Sequence, residues 1–247
     1  MRADDPGAAL PGAVLFDLDG VLTPTTDLHM RAWRATFEAF FAAEGVGPPY
    51  DDADYYAHVD GRPRYDGVRA VLASRGVVLP EGEPADPPGA RTVCGVGNGK
   101  NVVVDRLLAQ EGIAAYPGSV ALLAVLAARG VPMAVVSSSR NTAAVLEAAG
   151  IADRFAVVVD GVVAARERLA GKPAPDTFLR AAALLGVPPA SAVVVEDALA
   201  GVAAGRAGGF GLVVGVDRGA GVARLRTAGA DVVVTDVGEL VARWQTP

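Results

Sequence analysis

Asp17 and Asp19 close an apolar run, Ala13-Val14-Leu15-Phe16, and Gly20 follows them at once. Such a run reads as a strand buried on both faces. Burying a core gives no reason for two carboxylates at its end. In an open parallel α/β sheet, ligands bind just beyond the carboxyl ends of the strands, where this pair would lie. A glycine there lets the backbone turn sharply and approach a ligand. Asp19-Gly20 is also the dipeptide that a plain turn closing a strand would use.

More polar groups stand at comparable places. Ser137-Ser138-Ser139-Arg140-Asn141 follows the run Pro132–Val136, and Glu196-Asp197 follows Ala192–Val195. Lys172 sits in Gly171-Lys172-Pro173, ahead of a helical stretch. Taken singly, Ser139 or Asp197 could cap a helix and Lys172 could be solvated. Taken together, they put a reactive set at the strand ends of one sheet.

The charges say what such a set is for. Asp17, Asp19, Glu196 and Asp197 face only one opposing charge, Lys172. A group of this kind must protonate or bind a hard divalent cation, and an oxygen-only ligand set favours Mg²⁺. With Mg²⁺ bound and Asp19 protonated, the set is near neutral before a phosphate dianion arrives. Asp17 can then attack phosphorus and form an aspartyl-phosphate. Asp19 can protonate the leaving oxygen and later deprotonate the incoming one. Ser137 and Lys172 can hold the equatorial oxygens as charge shifts.

Composition sharpens two of these residues. Lys100 and Lys172 are the only lysines among 22 basic residues. A chain so biased to arginine keeps lysine where a planar fork cannot replace a compact ammonium, or keeps it by chance. The net charge of -6 argues against a nucleic-acid surface and against attraction to a membrane. The best candidate for a membrane span, Val120–Val136, is interrupted by Arg129, Gly130 and Pro132. A single cysteine, Cys94, and two histidines, His29 and His58, exclude an intramolecular disulfide and a Cys/His metal cluster. The expectation is a cytoplasmic monomer with a frayed tail over residues 1–12.

The elements that must position these residues alternate in type. Helices are expected over Leu28–Ala43 and Asn101–Glu111, with helical patches near Asp52–His58 and Arg64–Arg75 and a Pro- and Gly-rich loop over Leu79–Arg91. From Pro117 the pattern becomes α/β: helix Gly118–Arg129, strand Pro132–Val136, helix Asn141–Ala149, strand Ala156–Val159 and then a loop. Helix Ala174–Leu185, strand Ala192–Val195 and helix Ala198–Ala207 follow, and strands Gly211–Val216 and Asp231–Thr235 flank a last helix. The fold class is a Rossmann-like parallel sheet with an inserted helical domain. The sheet domain takes residues 1–24 and 114–247, and the helical cap takes 25–113. An insertion after the first strand is a natural lid over Asp17. The stretch Gly95-Val96-Gly97-Asn98-Gly99-Lys100 looks like a phosphate loop, but that pattern needs glycine at Cys94 and Ser or Thr at Asn101.

Asp17-x-Asp19-Gly20-Val21, the serine after the second strand, Lys172-Pro173 and Glu196-Asp197 resemble, in order, the four motifs of the haloacid dehalogenase superfamily. The resemblance implies Mg²⁺ held by Asp17, Asp19, Glu196 and Asp197. The presence of Asp19 implies phosphate-ester chemistry, since branches that cleave other bonds typically lack an aspartate there. Within that superfamily the cap resembles the β-phosphoglucomutase-like subfamily. Thr25, His29, Arg31 and Trp33 match its opening, and Gly61-Arg62-Pro63-Arg64 matches its specificity loop. Arg64 stands where an arginine grips the non-transferring phosphate, and Lys100-Asn101 resembles a Lys-Asn pair facing the sugar phosphate. Ser139, Arg140 and Asn141 match positions that hold phosphate and substrate, although a lysine is usual at Arg140. His29 is either a satisfied helix residue or a helper of Asp19. Pro24, Gly99 and a long Leu79–Arg91 loop depart from the pattern.

The resemblance implies a phosphomutase interconverting β-glucose 1-phosphate and glucose 6-phosphate, with catalytic glucose 1,6-bisphosphate. A phosphatase for small sugar phosphates would use the same residues with water as acceptor, and closure of the cap would separate the two. A non-catalytic phosphoacceptor also uses Asp, Mg²⁺, Ser and Lys, but it needs neither Asp19 nor a cap.

Overall fold

Val14, Leu15 and Phe16 are fully buried, and β1 (Ala13–Phe16) is the strand they form at the start of the computed structural model, which describes residues 10–245. Most of the tail expected over 1–12 lies outside the described residues. Gly12 is already fixed, donating its N–H to Ser191 O at 2.8 Å. The chain forms two compact units, one comprising Met1–Pro24 with Ala114–Pro247 and the other Thr25–Ile113.

From β1 the chain enters the second unit: α1 (Thr25–Glu44), a single turn α2 (Asp52–Asp54) leading into a π-helical turn at Tyr55–Val59, α3 (Arg64–Ser74) and α4 (Val93–Glu111). It returns through α5 (Pro117–Ala128), β2 (Met133–Val136), α6 (Thr142–Ala148), β3 (Val157–Val159) and α7 (Gly161–Glu167). The remainder is α8 (Asp176–Leu185), β4 (Ala192–Glu196), α9 (Leu199–Ala207), β5 (Leu212–Val216), α10 (Val222–Ala228), β6 (Val232–Val234) and α11 (Val241–Gln245).

The six strands form one parallel sheet in the order β3-β2-β1-β4-β5-β6. Strand order reverses at β1, which pairs with β2 on one side and β4 on the other. That reversal opens a crevice beyond the strand ends. Phe16 lies opposite Val135 and Val195, so one more residue in register sets Asp17 beside Glu196. The alternate residues Ala13 and Leu15 join Phe178 and Ala181 of α8, Val202 of α9 and Leu225 of α10 in one core. Burial of that core gives the strand ends their rigidity.

In the second unit Trp33, Phe37 and Tyr50 stack, with centroids 5.3 Å and 4.9 Å apart, inside a core that α3 and α4 complete. Here one expectation fails. Helix α4 begins at Val93, eight residues before Asn101, and runs straight through the glycine-rich stretch. Glycine is a poor helix former in isolation, but Thr92 caps the helix by accepting the N–H of Gly95 at 2.9 Å. A Cβ at Gly97 would meet the Tyr65 ring at 2.9 Å and the Arg64 stem at 3.0 Å, so the glycine is what lets α3 and α4 approach. The loop expected after the third strand is likewise the helix α7. Asp160 caps it by accepting from the N–H groups of Val162 and Val163. No helix among the described residues is long and apolar enough to cross a membrane.

Candidate active site

The sheet ladder carries on one residue past two strands. Asp17 donates its N–H to Val195 O at 2.9 Å, and Ser137 donates to Val159 O at 3.0 Å. The backbone therefore holds the Asp17 and Ser137 side chains, both buried, at the crevice. Glu196 is the last residue of β4, not the first of the loop after it, and is fully buried.

Lys172 corrects the expectation more sharply. It does not follow a strand directly but sits between α7 and α8, and reaches the strand ends from there. Its Nζ donates to Asp17 Oδ1 at 2.5 Å, to the Val136 carbonyl at 3.0 Å and to Glu196 Oε1, and it lies 4.9 Å over the Phe178 ring. All three ammonium hydrogens thus have an acceptor. The other Glu196 oxygen accepts the N–H of Ala198 at 2.9 Å. At Gly201 a Cβ would collide with the Glu196 carboxylate, so α9 can approach only with glycine there.

These contacts set the charge states. Burial lifts the Asp17 carboxyl well above its usual range; the Lys172 ammonium pulls it down, and Glu196 and Asp19 push it up again. Burial works to neutralise Lys172, but Asp17 and Glu196 outweigh it and hold the ammonium above its ordinary value. Asp17, Glu196 and Asp197 each bring a carboxylate oxygen within 4.8 Å of the others. A buried set of hard oxygens carrying more negative charge than Lys172 balances fits a hard divalent cation. The Asp19 carboxylate lies outside this group, so the four-carboxylate set expected from the sequence is gathered only in three parts.

After β2 the backbone turns through serines. Ser137 Oγ accepts the N–H of Ser139 at 3.0 Å, and Ser139 Oγ accepts the N–H of Asn141 at 3.1 Å. These bonds aim the segment; Arg140 is exposed, and the Asn141 side chain makes no cap to α6.

The second unit gathers its own polar cluster along α4. Lys100 Nζ is 2.8 Å from His29 Nδ1 and 5.3 Å from the Trp33 ring centroid. Trp33 belongs to the core and serves Lys100 as a platform. Arg64 donates to Asn101 Oδ1 at 2.7 Å and to Asn98 Oδ1 at 3.3 Å. Gly61 bends the loop before α3 with φ 70°, and Arg62 is exposed.

Asn98 was missed as a candidate. Besides Arg64 it accepts from Tyr65 Oη at 3.0 Å and donates to the carbonyls of Pro84 and Asp86, pinning the Leu79–Arg91 loop to α4. It stands two residues before Lys100, in the glycine-rich stretch that looks like a phosphate loop. Arg218, just after β5, was missed as well, although the strand-end rule that found Ser137 applies to it equally. Cys94 is buried, and burial raises its thiol, which suits a structural role.

A family model for haloacid dehalogenase-like hydrolases matches residues 11–209. The chain is 54% identical over 239 residues to the β-phosphoglucomutase of Mycobacterium tuberculosis (strain CDC 1551 / Oshkosh), covering 93% of this chain and 91% of that protein. It is 32% identical to the β-phosphoglucomutase of Bacillus subtilis (strain 168), across 92% and 91% of the two chains. The structure is similar to a mutant CbbY from Rhodobacter sphaeroides in complex with xylulose-1,5-bisphosphate, with TM-score 0.73, 27% identity and coverage of 96% and 100%. The matched span contains Asp17, Asp19, Ser137, Lys172, Glu196 and Asp197, and the chain belongs to the haloacid dehalogenase-like hydrolase family.

Proposed function

We propose that this chain is a phosphomutase of the β-phosphoglucomutase type, interconverting β-glucose 1-phosphate and glucose 6-phosphate through an aspartyl-phosphate and glucose 1,6-bisphosphate. The observation that carries the reading is the buried Asp17 carboxylate at the strand-order reversal, bonded to Lys172, beside Glu196 and Asp197. Identity of 54% to a β-phosphoglucomutase supports the choice of substrate. The reading takes the enzyme to be a cytoplasmic monomer acting on small sugar phosphates, with Thr25–Ile113 as its cap.

Asp17, Asp197 and Glu196 would hold Mg²⁺, whose charge favours the Asp17 carboxylate and draws phosphate oxygens to the site. Asp17 attacks phosphorus of the bisphosphate, and the P–O bond to the sugar breaks. Asp19 delivers its proton to the departing sugar oxygen. In the return step Asp19 takes the proton of the acceptor hydroxyl, and the phosphoryl group passes from Asp17 to that oxygen. Lys172 and Ser137 hold the equatorial oxygens while charge moves. Arg64, braced by Asn98 and Asn101, and Lys100 with His29 supply the charge that holds the phosphate not being transferred. Gly61, Arg62, Ser139, Arg140 and Asn141 complete the substrate's surroundings in this reading.

The test is ³¹P NMR of the purified protein with Mg²⁺, β-glucose 1-phosphate and a trace of glucose 1,6-bisphosphate. Conversion to glucose 6-phosphate with little inorganic phosphate is expected. Accumulating inorganic phosphate instead would replace the mutase with a sugar-phosphate phosphatase.

A further inference from the structure

The turn that leaves β1 has every carbonyl from Gly20 to Leu22 held from elsewhere in the same unit. Leu22 O accepts the N–H of Tyr116 at 2.9 Å, and Val21 O accepts the Ser119 hydroxyl at 2.7 Å. Gly20 O accepts Nε of Arg218 at 2.7 Å. Gly20 has φ 77°, and its own N–H bonds Thr23 O at 2.8 Å, so the residue after Asp19 is held at both its N–H and its carbonyl.

Arg218 is built to be a clamp. Its guanidinium lies 4.1 Å over the Tyr116 ring, and Nη1 donates to Thr235 O at 3.0 Å. Nη2 is buried with no hydrogen-bond partner, 3.9 Å from Asp236 Oδ2. The loop that carries it is itself rigid. Asp217 donates its N–H to Val234 O, and its carboxylate accepts from Gly219 and Gly221. One planar cation therefore ties the end of β5, the segment after β6, the start of α5 and the turn beyond Asp19. A lysine could not do this, having neither a face to stack nor a fork of donors.

We propose that Arg218 is a positioning residue for phosphoryl transfer: by holding the Gly20 carbonyl against the end of β5, with Tyr116 beneath it, it sets the direction of the Asp19 carboxyl. Arg218 touches none of the reacting atoms; it acts through Gly20, the residue that follows Asp19. This rests on Asp19 as the acid and base of the proposed function.

The experiment separates the step that needs Asp19 from the one that does not. Acetyl phosphate transfers its phosphoryl group to an aspartate by losing acetate, a leaving group that takes no proton in the step. Sugar acceptors and water must give up a proton to react with the phosphoenzyme. Phosphoenzyme formation from acetyl phosphate with Mg²⁺ would be followed by mass spectrometry. Its discharge would be followed onto glucose 6-phosphate, or onto water if the sugar is no acceptor. Arg218→Met and Arg218→Lys should both form phosphoenzyme within about twofold of the wild-type rate. Both should discharge it roughly ten- to a hundredfold more slowly, the scale expected of a small misplacement of a catalytic group. Tyr116→Phe, which keeps the ring, should match the wild type.

Unchanged discharge in Arg218→Met would overturn the proposal. So would equal loss of formation and discharge, which indicates general damage, or full rescue by Arg218→Lys, which indicates charge alone. A wild-type chain that forms phosphoenzyme yet ignores both glucose phosphates would instead sink the substrate reading, and the discharge onto water would still test Arg218.

Discussion

Asp17 Oδ1 and Lys172 Nζ meet at 2.5 Å although 155 residues separate them in the chain. Lys172 also bonds Glu196, so one ammonium lies between two buried carboxylates. Removing it leaves both without a counter-charge. Lys172→Met should lower stability by about 3 to 5 kcal/mol, the cost of a broken buried pair, and abolish turnover. The double variant Lys172→Met/Glu196→Gln should recover most of the stability by urea denaturation while remaining inactive. A double variant as unstable as the single one would show that charge is not what Lys172 supplies.

Asp17→Asn tests the nucleophile. The substituted amide cannot form an acyl phosphate under these conditions, so turnover should fall by more than about a thousandfold. The thermal midpoint should hold or rise, because an unfavourably buried carboxyl has been removed. Retained phosphoenzyme in this variant would move the nucleophile elsewhere.

Gly201 sets helix propensity against space. In α9, alanine would be preferred to glycine by about 1 kcal/mol in isolation. Its Cβ would overlap the Glu196 carboxylate, the partner of Lys172. Gly201→Ala should therefore destabilise, by roughly 1 to 3 kcal/mol, and lower activity. A more stable, fully active variant would show that Glu196 can shift without consequence.

Asn98 braces Arg64 and Tyr65 from α4. Asn98→Ala should raise KM for the sugar phosphate about tenfold, the effect of one charge-assisted hydrogen bond, and change kcat much less. Steady-state kinetics that lower kcat alone would remove Arg64 from phosphate binding in the ground state.

Asp54 and Arg75 form a two-pronged ion pair, at 2.8 and 2.5 Å, with side chains about a tenth exposed. Burial raises the Asp54 carboxyl, but Arg75 and the Asp51 N–H outweigh it and hold it below its ordinary value. A depressed carboxylate stabilises the fold above the unfolded-state pKa, and that stability is lost as pH falls through the folded value. Asp54→Asn should cost about 2 to 3 kcal/mol at neutral pH. The gap to wild type should close as pH drops below about 4. Denaturation curves at both pH values measure this.

The strand-end chemistry was legible because it is local. Asp17, Asp19, Ser137 and Glu196-Asp197 each terminate an apolar run, and a strand's direction decides which end its last residue occupies. The glycine-rich start of α4 was not legible, because Gly95 and Gly97 oppose helix formation alone and are tolerated where Ala90 presses against the first and α3 against the second. Lys172 falls between: its type marked it, but the loop that carries it does not reveal which groups it reaches.

By itself, the sequence determined the parallel α/β class and which polar residue types end the strands, since periodicity, punctuation and charge all lie along the chain. Only the tertiary structure decided that Lys172 stands between Asp17 and Glu196, that the Asp19 carboxylate lies outside the group of three, and that Arg218 grips the turn at Gly20. Those facts depend on which strand ends become neighbours and how closely helices pack against them, and both are set by burial of the shared core.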